Sequence, residues 1–133
     1  MKPIRVLLAD DHALVRAGLR VLLQKLPGVE VAAEANDGRE ALALVKSALP
    51  NFVLLDITMK GLSGLEAAER IVKDFPGVKV VMLSMHANEE YVLRALRAGV
   101  SGYIIKDAAI VELELALKAV MADETYLSPT ISR

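Results

Sequence analysis

Five short apolar runs punctuate the chain: Ile4 to Ala9, Val29 to Ala35, Phe52 to Leu55, Val78 to Leu83 and Gly102 to Ile105. Each is followed by a stretch with helical spacing. Val6-Leu7-Leu8, Val53-Leu54-Leu55 and Val80-Val81-Met82-Leu83 lack polar alternation, as expected of parallel strands covered on both faces. Two helical stripes are read as core-facing: Leu14, Gly18, Leu22 and Leu26 with Val15 and Leu19 beside them, and Ile110, Leu113, Leu117, Val120 and Met121. Strict strand-helix alternation predicts an α/β fold. With right-handed crossovers and helices on both faces, the simplest solution is a doubly wound five-stranded parallel sheet with five helices.

Local signals agree with these boundaries. Asp37-Gly38-Arg39-Glu40 and Ser63-Gly64-Leu65-Glu66 place a capping side chain three residues before a glutamate. Asn88 and Asp107 are candidate caps for two further helices. Pro27-Gly28 and Pro76-Gly77 mark helix-to-strand corners. A chain of 133 residues suits one domain able to bury its own core. Its hydrophobic fraction of 54% is high, yet no stretch approaches the roughly 20 apolar residues that span a membrane. No signal peptide is visible, and the reading is a soluble cytoplasmic protein without a membrane partner. The absence of cysteine excludes disulfides, thiolate metal sites and thiol nucleophiles. A net charge of -1 with no basic block argues that this segment binds no nucleic acid.

In a sheet of this kind, ligands sit outside the carboxyl ends of the strands. Those ends carry Asp10 and Asp11, then Glu34 and Ala35, Asp56, Ser84 and Lys106. Taken singly, a strand-end aspartate is more often a helix cap or turn former, and Lys106 beside Asp107 could be a surface ion pair. Jointly, three carboxylates, a hydroxyl and an ammonium converge on one edge. Carboxylates about 4 Å apart repel by roughly 4 kcal/mol at an effective dielectric near 20, so a cation must offset them. Lys106 and a divalent ion are the candidates, and an oxygen-only donor set favours Mg2+. The ion would also screen an incoming phosphoryl group, leaving Asp56, alone at its strand end, as the nucleophile.

The segments Leu8-Ala9-Asp10-Asp11-His12, Leu54-Leu55-Asp56-Ile57-Thr58-Met59, Met82-Leu83-Ser84-Met85-His86 and Gly102-Tyr103-Ile104-Ile105-Lys106-Asp107 resemble the receiver domains of two-component response regulators. The resemblance covers nearly the whole chain and is closest to the NarL/FixJ (LuxR-type) branch. It implies a CheY- and flavodoxin-like sheet of order 2-1-3-4-5. It further implies that Asp56 accepts phosphate from a sensor histidine kinase, and that Asp11, Asp56 and the main-chain carbonyl of Thr58 hold Mg2+ while Asp10 helps through water. Lys106 would pair with phosphoryl oxygens, Ser84 would swing its hydroxyl to another, and Tyr103 would turn inward, a two-state element biased by charge. Homodimerisation on phosphorylation is implied as well. Residues 1–122 would form the receiver, and 123–133 would begin a linker to a DNA-binding domain absent from this chain.

Two positions depart from the wider family. Lys60 stands where a proline is usual four residues after the acceptor, so the loop before Gly61 loses a fixed φ. Asp107 follows Lys106 in place of proline, and no cis peptide is expected there. His12 and His86 are too far apart in sequence to suggest a zinc site; His12 is expected to face solvent beside the acidic site, and His86 lies either over the phosphoryl group or in a plain loop. A haloacid-dehalogenase-like phosphatase would need an aspartate where Thr58 stands, so the expected role is a phosphoacceptor switch with slow self-dephosphorylation at most, not an enzyme. An FMN carrier would be repelled by Asp10-Asp11. A stand-alone receiver, or a phosphorylation-independent interaction module of the same fold, is the alternative.

Overall fold

The computed structural model describes residues 3–85 and 87–132. The elements alternate as β1 (Ile4–Ala9), α1 (Ala13–Gln24), β2 (Val29–Ala35), α2 (Gly38–Ala48), β3 (Phe52–Asp56), α3 (Gly64–Asp74), β4 (Lys79–Ser84), α4 (Glu89–Ala98), β5 (Gly102–Ile105) and α5 (Ala109–Met121). A 3-10 turn over Lys106–Ala108 joins β5 to α5, and β6 (Tyr126–Leu127) and α6 (Pro129–Ser132) follow. All pairings are parallel, in the order β2-β1-β3-β4-β5-β6. The expected 2-1-3-4-5 sheet is therefore present and extended by one edge strand. That strand takes in residues which the sequence reading had assigned to a linker.

Successive strand residues point to opposite faces, which divides the core into two layers. Leu7, Ala9, Val53, Leu55 and Met82 pack with Ala41 and Val45 of α2, Ala67, Ala68 and Ile71 of α3, and Val92 and Ala95 of α4. Val6, Leu8, Leu54, Val81 and Ile104 pack on the other face with Leu19 and Leu23 of α1 and Leu113, Leu117 and Val120 of α5. Every residue of β3 is buried, so the strand that ends in Asp56 is the most enclosed of the sheet. No described helix is long and apolar enough to cross a membrane.

The caps at Asp37, Ser63 and Asn88 form as expected, with side-chain oxygens accepting from Glu40, Glu66, and Glu90 and Tyr91 main-chain amides respectively. Asp107 does not cap α5: the 3-10 turn intervenes and makes Ala108 the residue before the helix.

The two helical stripes are only partly core. Leu19 and Leu23 are buried and Leu22 and Leu26 half-buried, but Leu14 is 87% exposed, and Val15 and Gly18 are exposed too. In α5, Leu113, Leu117 and Val120 are buried, whereas Ile110 is 70% exposed. The physical reason lies in the topology. The first turns of α1 and α5 lie at the carboxyl edge, next to where β1 and β5 have ended, and no strand side chain is left to cover them. Leu14, Val15 and Ile110 instead wall a cavity of about 450 Å³ together with Met85, His12 and Lys106.

Candidate functional site

The carboxyl edge gathers its polar groups because each strand ends where its apolar run does. Asp10 and Asp56 are fully buried, Ser84 and Lys106 nearly so, and Asp11 is half-buried. Gly64 is required here: a Cβ at that position would strike the Asp56 carbonyl oxygen, so α3 starts directly against the end of β3. The Gly64 amide donates to the Ile57 carbonyl at 2.9 Å and closes that approach.

Lys106 Nζ lies 3.1 Å from Asp56 Oδ2, 2.9 Å from Asp10 Oδ2 and 3.0 Å from His12 Nδ1. Toward Asp56 the ammonium donates a hydrogen bond, whereas its approach to Asp10 Oδ2 is an ion pair without a directed hydrogen bond. Among the described residues, Asp11 Oδ1 also lacks a directed hydrogen-bond donor. The other face of Asp56 is used separately: Oδ1 accepts from the Thr58 amide at 3.3 Å, with the Thr58 hydroxyl at 3.5 Å. Asp10 Oδ1 accepts from the His12 amide at 2.8 Å, so Asp10 is both a turn former and a site residue.

Burial raises the Asp56 carboxyl above its ordinary value, the Asp10 charge raises it further, and Lys106 and the Thr58 amide oppose both. Burial also works against the Lys106 ammonium, but Asp10 and Asp56 outweigh it and hold the amine protonated above its ordinary range. His12 Nδ1 also lies 3.3 Å from Asp10 Oδ1 and 3.2 Å from Asp11 Oδ1. The cluster thus carries three carboxylates against one ammonium. One oxygen each from Asp10, Asp11 and Asp56 and a ring nitrogen of His12 lie within 4.8 Å of one another. Hard oxygen donors, two of them without a directed hydrogen bond, suit a divalent cation such as Mg2+.

Ser84 ends β4 opposite Ile105, the residue before Lys106, and Tyr103 lies two residues earlier on β5. Tyr103 is wholly buried; burial pushes its phenol up, and a hydrogen bond with Ser84 opposes this. Tyr103 therefore already lies inward. Glu34 turns away from the edge to pair with Arg16 and Arg20 of α1. His86 falls outside the described residues.

Three residues of the edge were not anticipated in their observed roles. His12, expected in solvent, keeps its ring 60% exposed but directs Nδ1 into the cluster. Arg16 donates to the Asp10 carbonyl and to Asn36 Oδ1, each at 2.6 Å, and fixes the loop that carries Asp10 and Asp11. Its signal was available: Arg16 lies one helical turn after His12. Ser128 is fully buried beside the end of β5, and nothing in its local sequence pointed there.

A family model described as the response regulator receiver domain matches residues 6–118. Response regulator GacA of Pseudomonas viridiflava is 37% identical over 130 residues, covering 98% of this chain and 61% of that protein. Response regulator UvrY of Escherichia coli K12 is 36% identical, covering 98% and 60%. The chain thus spans about three-fifths of the length of these curated relatives. Among solved structures, a LuxR-family two-component response regulator from Aurantimonas superposes with a TM-score of 0.93 at 36% identity, covering 98% of this chain and 94% of the other. The RcsB response regulator of Salmonella typhimurium, solved in a study of its DNA interaction, gives 0.93 at 25% identity and covers 100% and 67%.

Proposed function

The chain belongs to the response-regulator receiver family, and from that premise we propose that it is a phosphorylation-dependent switch whose acceptor is Asp56. The observation that carries this reading is the buried Asp56 carboxylate, with one oxygen fixed by the Thr58 amide and the other facing the Lys106 ammonium. An Asp56 oxygen attacks phosphorus of a phosphohistidine on a sensor histidine kinase. The new O–P bond forms as the P–N bond breaks, and the departing imidazole takes up a proton. Lys106 stays within reach of the added oxygens and neutralises part of their charge. Asp10, Asp11, Asp56 and the Thr58 carbonyl would hold Mg2+, which supplies charge neutralisation between the carboxylates and the phosphoryl group. Thr58 stands where a phosphatase of similar design needs a second acid, so release of phosphate is slow. Ser84, at the end of β4, and the wholly buried Tyr103 of β5 would carry the change away from the site.

Incubating the chain with acetyl phosphate and Mg2+ should add one phosphoryl group, read by intact mass. An absent adduct, or an equal adduct on Asp56→Asn, would sink the reading.

The partner set is part of the same proposal. A sensor histidine kinase donates the phosphate, and phosphorylation promotes a homodimer. The exposed apolar side chains of Leu14, Val15 and Ile110 around the cavity next to Lys106 support a protein contact at this edge. In a longer protein, residues beyond 122 would lead to a DNA-binding domain and make the switch a cytoplasmic regulator of transcription. The length of the relatives supports this.

A further inference from the structure

The segment after α5 stays on the sheet. Tyr126 N donates to the Ser101 carbonyl and Ser128 N to the Tyr103 carbonyl, each at 3.0 Å. Ser128 lies outside the matched residues 6–118, yet it is fully buried and its hydroxyl is used twice. It accepts from the Ile105 amide at 2.9 Å and donates to Glu112 Oε1 of α5 at 2.7 Å. Glu112 Oε1 accepts a second hydroxyl, that of Tyr126, at 2.9 Å.

Ile105 is the last residue of β5 and precedes Lys106 directly. On one side Ile105 is paired with Ser84 of β4; on the other its part-buried amide would have no strand partner, since β6 ends at Leu127. The Ser128 hydroxyl fills that place. Lys106 begins a three-residue 3-10 turn, a short and weakly held element, and its ammonium must reach Asp56 from there. The anchored Ile105 amide thus supplies a fixed point one residue before the group that meets the phosphoryl oxygens.

We propose that Ser128 is a positioning residue for phosphoryl acceptance: by tying the end of β5 to α5, it fixes the backbone from which Lys106 reaches Asp56. This rests on the reading of Asp56 as acceptor. A coupling of this kind is reciprocal. If the docked segment 126–132 favours the Lys106 geometry that a phosphoryl group uses, a group on Asp56 tightens the docking of that segment.

A matched pair of variants of the 133-residue chain separates positioning from stability. Ser128→Ala and Tyr126→Phe each delete one hydroxyl donor to Glu112, but only the first unties Ile105. The rate of Asp56 phosphorylation at saturating acetyl phosphate and Mg2+ should fall about 5- to 20-fold in Ser128→Ala. Tyr126→Phe should keep its rate within about twofold. Equal slowing of both variants, or an unslowed Ser128→Ala, overturns the proposal. Hydrogen exchange in the native chain reads the same coupling without substitution: the Ile105 amide should exchange more slowly with beryllium fluoride on Asp56, and unchanged exchange counts against it. A native chain that takes no phosphoryl group, or takes it equally as Asp56→Asn, overturns the acceptor reading and this inference with it.

Discussion

Replacing Lys106 by methionine removes the cation that lies against both buried carboxylates while keeping a side chain of similar length. Its ion pairs with Asp10 at 2.9 Å and Asp56 at 3.1 Å are each worth about 5–6 kcal/mol at an effective dielectric of 20. Most of that is offset by the several kcal/mol that burying the ammonium costs, and breaking a buried pair by removing one partner leaves a net loss of about 3–5 kcal/mol. Against a domain stability of roughly 5–15 kcal/mol this is a large fraction. The loss depends on pH with a definite sign. Asp56 has a raised carboxyl, so its contribution is fully present below its ordinary value of 3.8 and is lost as pH rises through the folded value. Removing Lys106, which lowers that value, lifts it further. The deficit is therefore largest near neutrality and smallest in acid. Urea unfolding followed by circular dichroism, in EDTA and in excess Mg2+ at about pH 7 and again at about pH 4, reads it out. Mg2+ at a hundredfold over its dissociation constant from the variant should stabilise the variant by about 2.7 kcal/mol relative to EDTA. A deficit against the native chain under about 1 kcal/mol in EDTA, or one that acid does not reduce, would refute the view that Lys106 is the internal counter-ion of this site.

Asp56→Asn should have the opposite effect: at neutral pH it removes a buried charge held against its ionisation, so the ion-free protein should melt higher than the native chain, with the gain shrinking toward pH 3.8 and the Mg2+ response weakened. Gly64→Ala sets a methyl group against the Asp56 carbonyl and should cost about 1–3 kcal/mol in unfolding experiments, together with slower phosphorylation; a neutral outcome would show that α3 shifts freely relative to β3. Tyr126, whose phenol is pushed up to about 12 by burial first and by its bond to Glu112, should be the late component in an ultraviolet titration of the tyrosines. Its contribution to stability is complete below 10.0 and lost as pH rises toward about 12, so Tyr126→Phe should flatten the alkaline limb of the stability curve.

The five strands, the helix caps at Asp37, Ser63 and Asn88, and the placing of Asp10, Asp11, Asp56, Ser84 and Lys106 at one edge were legible in the sequence. These follow from local rules: an apolar run with no alternation is a strand covered on both faces, and a strand of a parallel sheet delivers its next residue to the carboxyl edge. What those rules do not contain is how far each partner extends. The stripe through Leu14, Val15 and Gly18 has the spacing of a buried face, but its first turn lies where the sheet has stopped, and only the packed arrangement shows it exposed. His12 and Arg16 acquire their contacts because α1 starts against the end of β1 and beside β2.

Ser128 marks the boundary most clearly. A serine before a proline reads locally as a turn, and its burial depends on an Ile105 amide 23 positions away and on a carboxylate in α5. The sequence by itself determined which chemistry this edge can hold. The tertiary structure decided which residues hold it still, because that depends on long-range pairing at strand ends, where periodicity carries no signal.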